Sequence, residues 1–232
     1  LCSLCDDGAG LRRAQLALQE VALSRKGWQP KAALAQAQLL RCQGLAQEGL
    51  QVIEPLMAAL ADTCMDFGAA AATHIELLSA AQRFEDAARC GSQYLARLRR
   101  AEAPEYRLEL ALSRTCAALA DHAQAERHFE HACSQLERHN ITGVLTGVAY
   151  EVGARIALAR GHLELSAARL ARCGEHFRIG KHPALTARYN TLERELSSVM
   201  RASAAPPANP TDPSSAIISY GELADAELRT QS

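Results

Sequence analysis

Apolar residues recur along this chain at three- and four-residue intervals, the spacing that turns one face of a helix inward. Leu11, Ala14, Leu16, Val21 and Leu23 predict a helix over Leu11–Ser24, ended by Gly27-Trp28-Gln29-Pro30. Pro30 suits the first turn of the next helix, where its missing N–H costs nothing. Four helix pairs follow. Lys31–Arg41 and Leu45–Leu60 turn at Gln43-Gly44, and Asp66–Ala81 pairs with Phe84–Arg100. Glu105–Leu119 and His122–His139 turn at Asp121, and Thr142–Arg160 and Leu163–Arg178 turn at Gly161-His162. Pro183 opens a last helix to about Arg201, with Leu185, Tyr189, Leu192, Leu196 and Val199 as its apolar stripe.

Some local signals qualify these elements. Leu1–Cys5 reads as a helix end broken at Asp6–Gly10, and Pro55 should kink or shorten its helix. Thr142 is the expected N-cap of the helix after it. Gly143, Gly147 and Gly153 each weaken that helix by ~1 kcal/mol relative to Ala, so close packing against the preceding hairpin is expected there.

The pairs repeat. Small residues closing equivalent units are Ala14, Gly49, Ala87, Ala125 and Ser166, which by subtraction lie 35, 38, 38 and 41 residues apart. A drifting period of this size is what stacked helical hairpins with variable loops leave in a sequence. The expected fold is all-α, an α-solenoid of antiparallel hairpins with about four repeats, a leading half-repeat and a C-terminal capping helix. It would occupy residues 1–201 as one continuous core. Residues 202–215, with Pro206, Pro207, Pro210 and Pro213, read as a semi-rigid linker. Residues 216–232 carry Ile217, Ile218, Tyr220, Leu223 and Leu228, enough for a docking helix or the approach to a further domain. Because Leu1 falls in mid-pattern, the chain reads as a piece of a longer polypeptide.

Composition narrows the function. Aromatic residues make up 4% of the chain, which suits close helix–helix packing and not a sheet. A net charge of −1 offers no basic face for nucleic acid, and the Arg97, Arg99, Arg100 cluster is ordinary charge for a helix C-terminus. No apolar run of about 18 residues is present to cross a membrane, and no leader peptide pattern opens the chain. Cys42, Cys64, Cys90, Cys116, Cys133 and Cys173 are scattered singly among helical positions, which predicts reduced, mostly buried thiols in a cytoplasmic protein.

Candidate chemistry is sparse. Cys2-x-x-Cys5 lacks the second pair that a zinc site needs. His122, His128, His131 and His139 crowd one helix, and His128 and His131 share a face. No carboxylate or second histidine pair is recognisable to complete a metal shell, so the face reads as solvated. Asn140-Ile141-Thr142 spells a glycosylation sequon, for which capping is the expected use. No nucleophile elbow, phosphate loop or kinase signature is present, and no two carboxylates are singled out by an apolar setting. The expectation is a chain with no enzymatic activity and no cofactor.

The units resemble tetratricopeptide repeats. The resemblance rests on Ala120-Asp121-His122, Ala125, Phe129 and Ala132, and on Tyr150, Ala154, Ala157, Gly161-His162-Leu163, Ser166, Leu170 and Cys173. Ala37, Leu40, Gly44, Gly49, Ile53 and Leu56 match too, whereas the second unit matches well only at Phe84 and Ala87. The resemblance covers roughly Leu11–Arg178. It implies a right-handed superhelix and a concave groove lined by the first helices. It also resembles the degenerate repeats of large bacterial signalling proteins, where they follow a serine/threonine kinase domain or adjoin an ATPase module.

Carried onto this sequence, the groove positions are Lys31, Gln38, Arg41, Glu76, Arg107, Arg114, Glu151 and Arg155. Arg114 and Arg155 occupy equivalent positions in adjacent units. Either they fork a carboxylate or phosphate on a peptide, or they neutralise Glu76 and Glu151 within the chain. The expected role is a scaffold that holds a peptide or a domain of the same polypeptide. The alternative is a sensor segment that binds a small ligand or metal and controls an attached kinase or ATPase. Weak self-association through the incomplete first unit, Leu1–Leu23, is a further expectation.

Overall fold

The computed structural model describes residues 7–62, 64–179 and 182–204. Among them are ten α-helices and no strand: α1 (Gly8–Ser24), α2 (Gln29–Cys42), α3 (Ala46–Ala59), α4 (Phe67–Ala80), α5 (Phe84–Arg100), α6 (Tyr106–Ala118), α7 (His122–Arg138), α8 (Val144–Ala159), α9 (Leu163–Ile179) and α10 (Pro183–Ala204). A 3-10 turn, Lys26–Trp28, joins α1 to α2. α10 takes in residues 202–204, the start of the predicted Pro-rich linker, and the rest of that linker, the tail and Cys2-x-x-Cys5 lie outside the described residues. The chain divides into compact units at Ser197/Ser198, and only residues 198–204 of the second are described.

The helix ends share one device. At the end of α2, Leu45 N–H donates to Leu40 C=O across Gly44, whose φ is +76°. The same closure recurs after α4, α5, α6, α7 and α8, with Gln82, Glu102, Ala120, Asn140 and Gly161 at positive φ. Each bond satisfies a carbonyl that the helix would otherwise leave unpaired and reverses the chain in two or three residues. Two of the six positions are glycine. At Ala120 the side chain stands in a conformation that costs an L-residue about 1–2 kcal/mol.

Pairs of small or apolar residues twelve positions apart sit where the two helices of each hairpin cross. Ala37 and Gly49, Ile75 and Ala87, Ser113 and Ala125, and Ala154 and Ser166 are all buried. Ser113 Oγ donates to Ala125 C=O at 2.8 Å, and Ser166 Oγ donates to Ala154 C=O at 2.9 Å. The hydroxyl is thus used from opposite helices in the two hairpins. A Cβ on Gly49 would lie 2.5 Å from a terminal methyl of Leu77, so the glycine makes room on α3 for the Leu77 side chain of α4.

Each helix from α1 to α8 packs on its successor. The first helices also touch one another in order, α2 on α4, α4 on α6 and α6 on α8. Among the described residues, the second helices α3, α5 and α7 make no such backbone approach to each other. Long side chains reach across instead, as Arg169 of α9 does to Glu126 of α7, 3.1 Å apart. The core runs from Leu34 through Phe67, Leu77 and Leu98 to Leu108, then around Phe129 and Ile156, and on to Phe177 and Leu192.

Several local expectations need correction. α1 starts at Gly8, inside the stretch expected to be broken, because the Asp7 carboxylate accepts from Gly10 N–H at 2.9 Å. Ala14, Leu16 and Leu23 of α1 are exposed, since no described helix precedes α1 to cover them. α3 continues through Pro55 to Ala59. Gly143 and not Thr142 is the N-cap residue of α8, at φ +82°. Gly153 does accept the preceding hairpin, against Phe129, but Gly147 packs on Phe177 of its own hairpin, and Gly143 has nothing near it. On α10, Leu185, Leu192 and Leu196 are buried and Val199 is exposed.

Candidate functional site

Along α2, α4, α6 and α8 the repeat spacing brings Gln38, Glu76, Arg114 and Arg155 to equivalent positions, one per helix. Together with Arg41, Arg107 and Glu151 they line one cavity of about 510 Å³. Its floor is Ala69, Ala72, Ala111 and Val152, small enough to let the first helices lie close. Seven of the eight sequence-derived groove residues therefore share one space. Lys31 is not among its lining residues; its ammonium lies 4.9 Å over the Trp28 ring at the outer end of α2.

The charges in the groove are already engaged. Glu76 meets Arg41 at 3.2 Å and Arg114 at 3.0 Å, so one carboxylate ties three successive first helices together. Glu151, buried, meets Arg155 at 3.5 Å and also Arg188 of α10, while Arg155 reaches Glu195 at 3.0 Å. Arg114 and Arg155 thus neutralise glutamates of this chain, and both stay partly exposed. Arg107 differs: among the described residues it has no ion-pair partner. Arg188, absent from the sequence-derived set, completes five arginines against two glutamates in the lining. Gln38 donates to Thr73 Oγ1 at 3.4 Å, and Ser79 and Thr115 share a hydrogen bond at 2.9 Å.

A second polar cluster lies on residues of α6 and α7 that the groove does not use. Glu109 of α6 is 1% exposed, and both of its oxygens are taken by imidazoles. His128 Nδ1 lies 2.5 Å from Oε2 and His131 Nδ1 2.9 Å from Oε1. Arg99 of α5 adds contacts at 3.3 Å to Glu109 and 2.9 Å to Glu105. Burial works to raise the Glu109 carboxyl, yet the hydrogen bonds from His128 and His131 hold it below its ordinary value. Burial also opposes charge on His128, but its contacts with Cys116 and Glu109 outweigh that and push the imidazole up to about 9. The solvated histidine face expected from sequence is therefore corrected at His128, which is partly buried, while His131 stays exposed though it meets Glu109, a carboxylate that burial singles out.

A third titratable pair is internal. His74 Nδ1 sits 2.9 Å from the Tyr94 hydroxyl, and burial lowers the His74 pKa while raising that of Tyr94 to about 12. The six described cysteines are free thiols. Cys116 and Cys173 are buried, but Cys42, Cys64, Cys90 and Cys133 are half-buried, fewer sealed than expected. Burial pushes Cys133 and Cys173 up to about 12, which makes them poor nucleophiles.

Fold and site together define an all-α protein of paired helices with an arginine-lined groove on its first helices. No family model matches the chain, and no curated protein matches it. In fold it is similar to the crystal structure of BtubC (BKLC) from P. vanneervenii, with a TM-score of 0.55 over 88% of this chain and 95% of that one. At 11% identity this likeness speaks of fold alone. Among the described residues no helix is long and apolar enough to cross a membrane.

Proposed function

We propose that this chain is a non-catalytic interaction module whose hairpins stack as a right-handed solenoid and whose groove holds an acidic segment of a partner or of an adjacent domain. The order of helix contacts supports the stacking: an inner row in mutual contact with an outer row splayed apart is how a solenoid curves. The surplus of guanidinium over carboxylate in the lining carries the choice of an acidic ligand. Arg107 supplies a cation that, among the described residues, has no ion-pair partner to give up. The half-exposed pairs of Arg114 and Arg155 each contribute only about 0–1 kcal/mol, so a ligand carboxylate can displace them at small cost. The bacterial signalling setting rests on the repeat resemblance.

The test is fluorescence anisotropy with a labelled Glu/Leu peptide and its Lys/Leu counterpart. Saturable binding of the acidic peptide alone is expected. Arg107→Ala should weaken it roughly three- to tenfold, and Arg114→Ala with Arg155→Ala by roughly tenfold or more. The melting temperature should fall by no more than a few degrees. Equal binding of the two peptides, or indifference to all three arginines, refutes the groove reading.

A further inference from the structure

We propose that Glu105, Glu109 and His131 form a binding site for one divalent transition-metal ion of the zinc class, with His128 orienting Glu109. Glu105 and Glu109 are one helical turn apart at the start of α6 and present their carboxylates on one face. His131 arrives from α7 on the other side of the hairpin. One ligand atom from each of the three lies within 4.8 Å of the other two. Around a tetrahedral ion with bonds of about 2.0–2.2 Å, donors stand roughly 3.5 Å apart, so side-chain movement of about an ångström closes the set.

The surroundings fit a metal better than a simple ion pair. Glu109 is buried, with both oxygens held by imidazoles, so a cation meets a carboxylate whose position is fixed by folding. His128 holds Oε2 and leaves Oε1 toward His131, which fixes the carboxylate as supporting groups do at metal centres. Two carboxylates and an imidazole suit zinc, cobalt or nickel, whereas calcium would call for a larger, all-oxygen shell. Arg99 is the resident cation, spanning Glu105 and Glu109 from α5. Its side chain is 54% exposed, so it can swing into solvent when a doubly charged ion replaces it. The three protein ligands leave a fourth position open at a surface depression bordered by Arg127, Glu130 and Ser134. The site shares no lining residue with the groove, and each reading can fail without the other.

Cobalt(II) and zinc(II) titrations of the whole chain test this, by calorimetry and by the cobalt absorption spectrum. One equivalent should bind more tightly than millimolar, without the near-ultraviolet band of thiolate ligation. His131→Ala, a half-exposed position, should weaken binding at least about tenfold, and Glu109→Gln should do the same. Arg99→Gln should tighten it by removing the competing cation, and His139→Ala should leave it unchanged. A thiolate band, wild-type affinity in His131→Ala, or weaker binding in Arg99→Gln overturns the site. Circular dichroism shows whether Glu109→Gln still folds, and His131→Ala and Arg99→Gln keep the outcome decisive if it does not.

Discussion

Glu151 and Glu109 are both buried carboxylates, one on α8 and one on α6, and the chain answers them differently. Glu151 is met by guanidinium groups, from Arg155 on its own helix and Arg188 on α10. Glu109 is met chiefly by imidazoles. Guanidinium keeps its charge at any pH a protein meets, so the Glu151 arrangement is a fixed brace. Imidazole can shed a proton and then offers a lone pair, so the Glu109 arrangement can exchange its cation. The same burial problem yields a strut in one place and a receptor in the other.

The sharpest way to break that contrast is to remove one partner from each. Arg188→Ala should cost about 2–3 kcal/mol in chemical denaturation, because Glu151 keeps only the longer contact with Arg155. His128→Ala should cost about 1 kcal/mol, since Glu109 retains His131 and Arg99. A larger loss at His128 would reverse the assignment of strut and receptor.

His74 sharpens the comparison from the other side, as a buried imidazole paired with a phenol and not with a carboxylate. Its pKa is lowered in the folded state, so the unfolded chain binds more protons below about 6.5. Stability from this group is therefore complete above that pH and falls as pH drops through the window beneath it, with a slope of at most about 1.4 kcal/mol per pH unit. Denaturation curves between pH 7 and 5 should show the fall in the natural chain and a flatter profile in His74→Leu. Equal slopes would mean that the imidazole is already charged when folded.

The smallest effect is a control on both sites. Ala120→Gly relieves the strained turn between α6 and α7 and should add about 1 kcal/mol of stability. Metal and acidic-peptide affinities should stay as they are. A change in either would show that this turn sets the position of α7, and with it His128 and His131, more sensitively than their packing does.

The helices were legible because three of the four hairpins are punctuated. Gly44, Ala120-Asp121 and Gly161-His162 mark turns, and the predicted ends fall within a few residues of those observed. The groove was legible through the period, since repeat spacings of 38, 38 and 41 residues put Gln38, Glu76, Arg114 and Arg155 in register without any knowledge of contacts. Arg188 was not, because α10 lies outside the repeat. Glu109 was missed because in sequence it looks like any helical glutamate, and its histidines are 19 and 22 residues away. A signal did exist. In a hairpin turning at Ala120, residues equally far from the turn face each other, and Glu109 and His131 both lie 11 positions from it (120 − 109 and 131 − 120).

Six reversals of the chain, those after α2, α4, α5, α6, α7 and α8, are locked by the same backbone bond across a left-handed residue, and this limits how the molecule can move. A hinge needs torsional slack, and these turns have none to give without breaking that bond. Each hairpin therefore travels as a stiff plank, and the same bond at the α5–α6 and α7–α8 turns restrains how far successive planks can slip over one another along their alanine-rich faces.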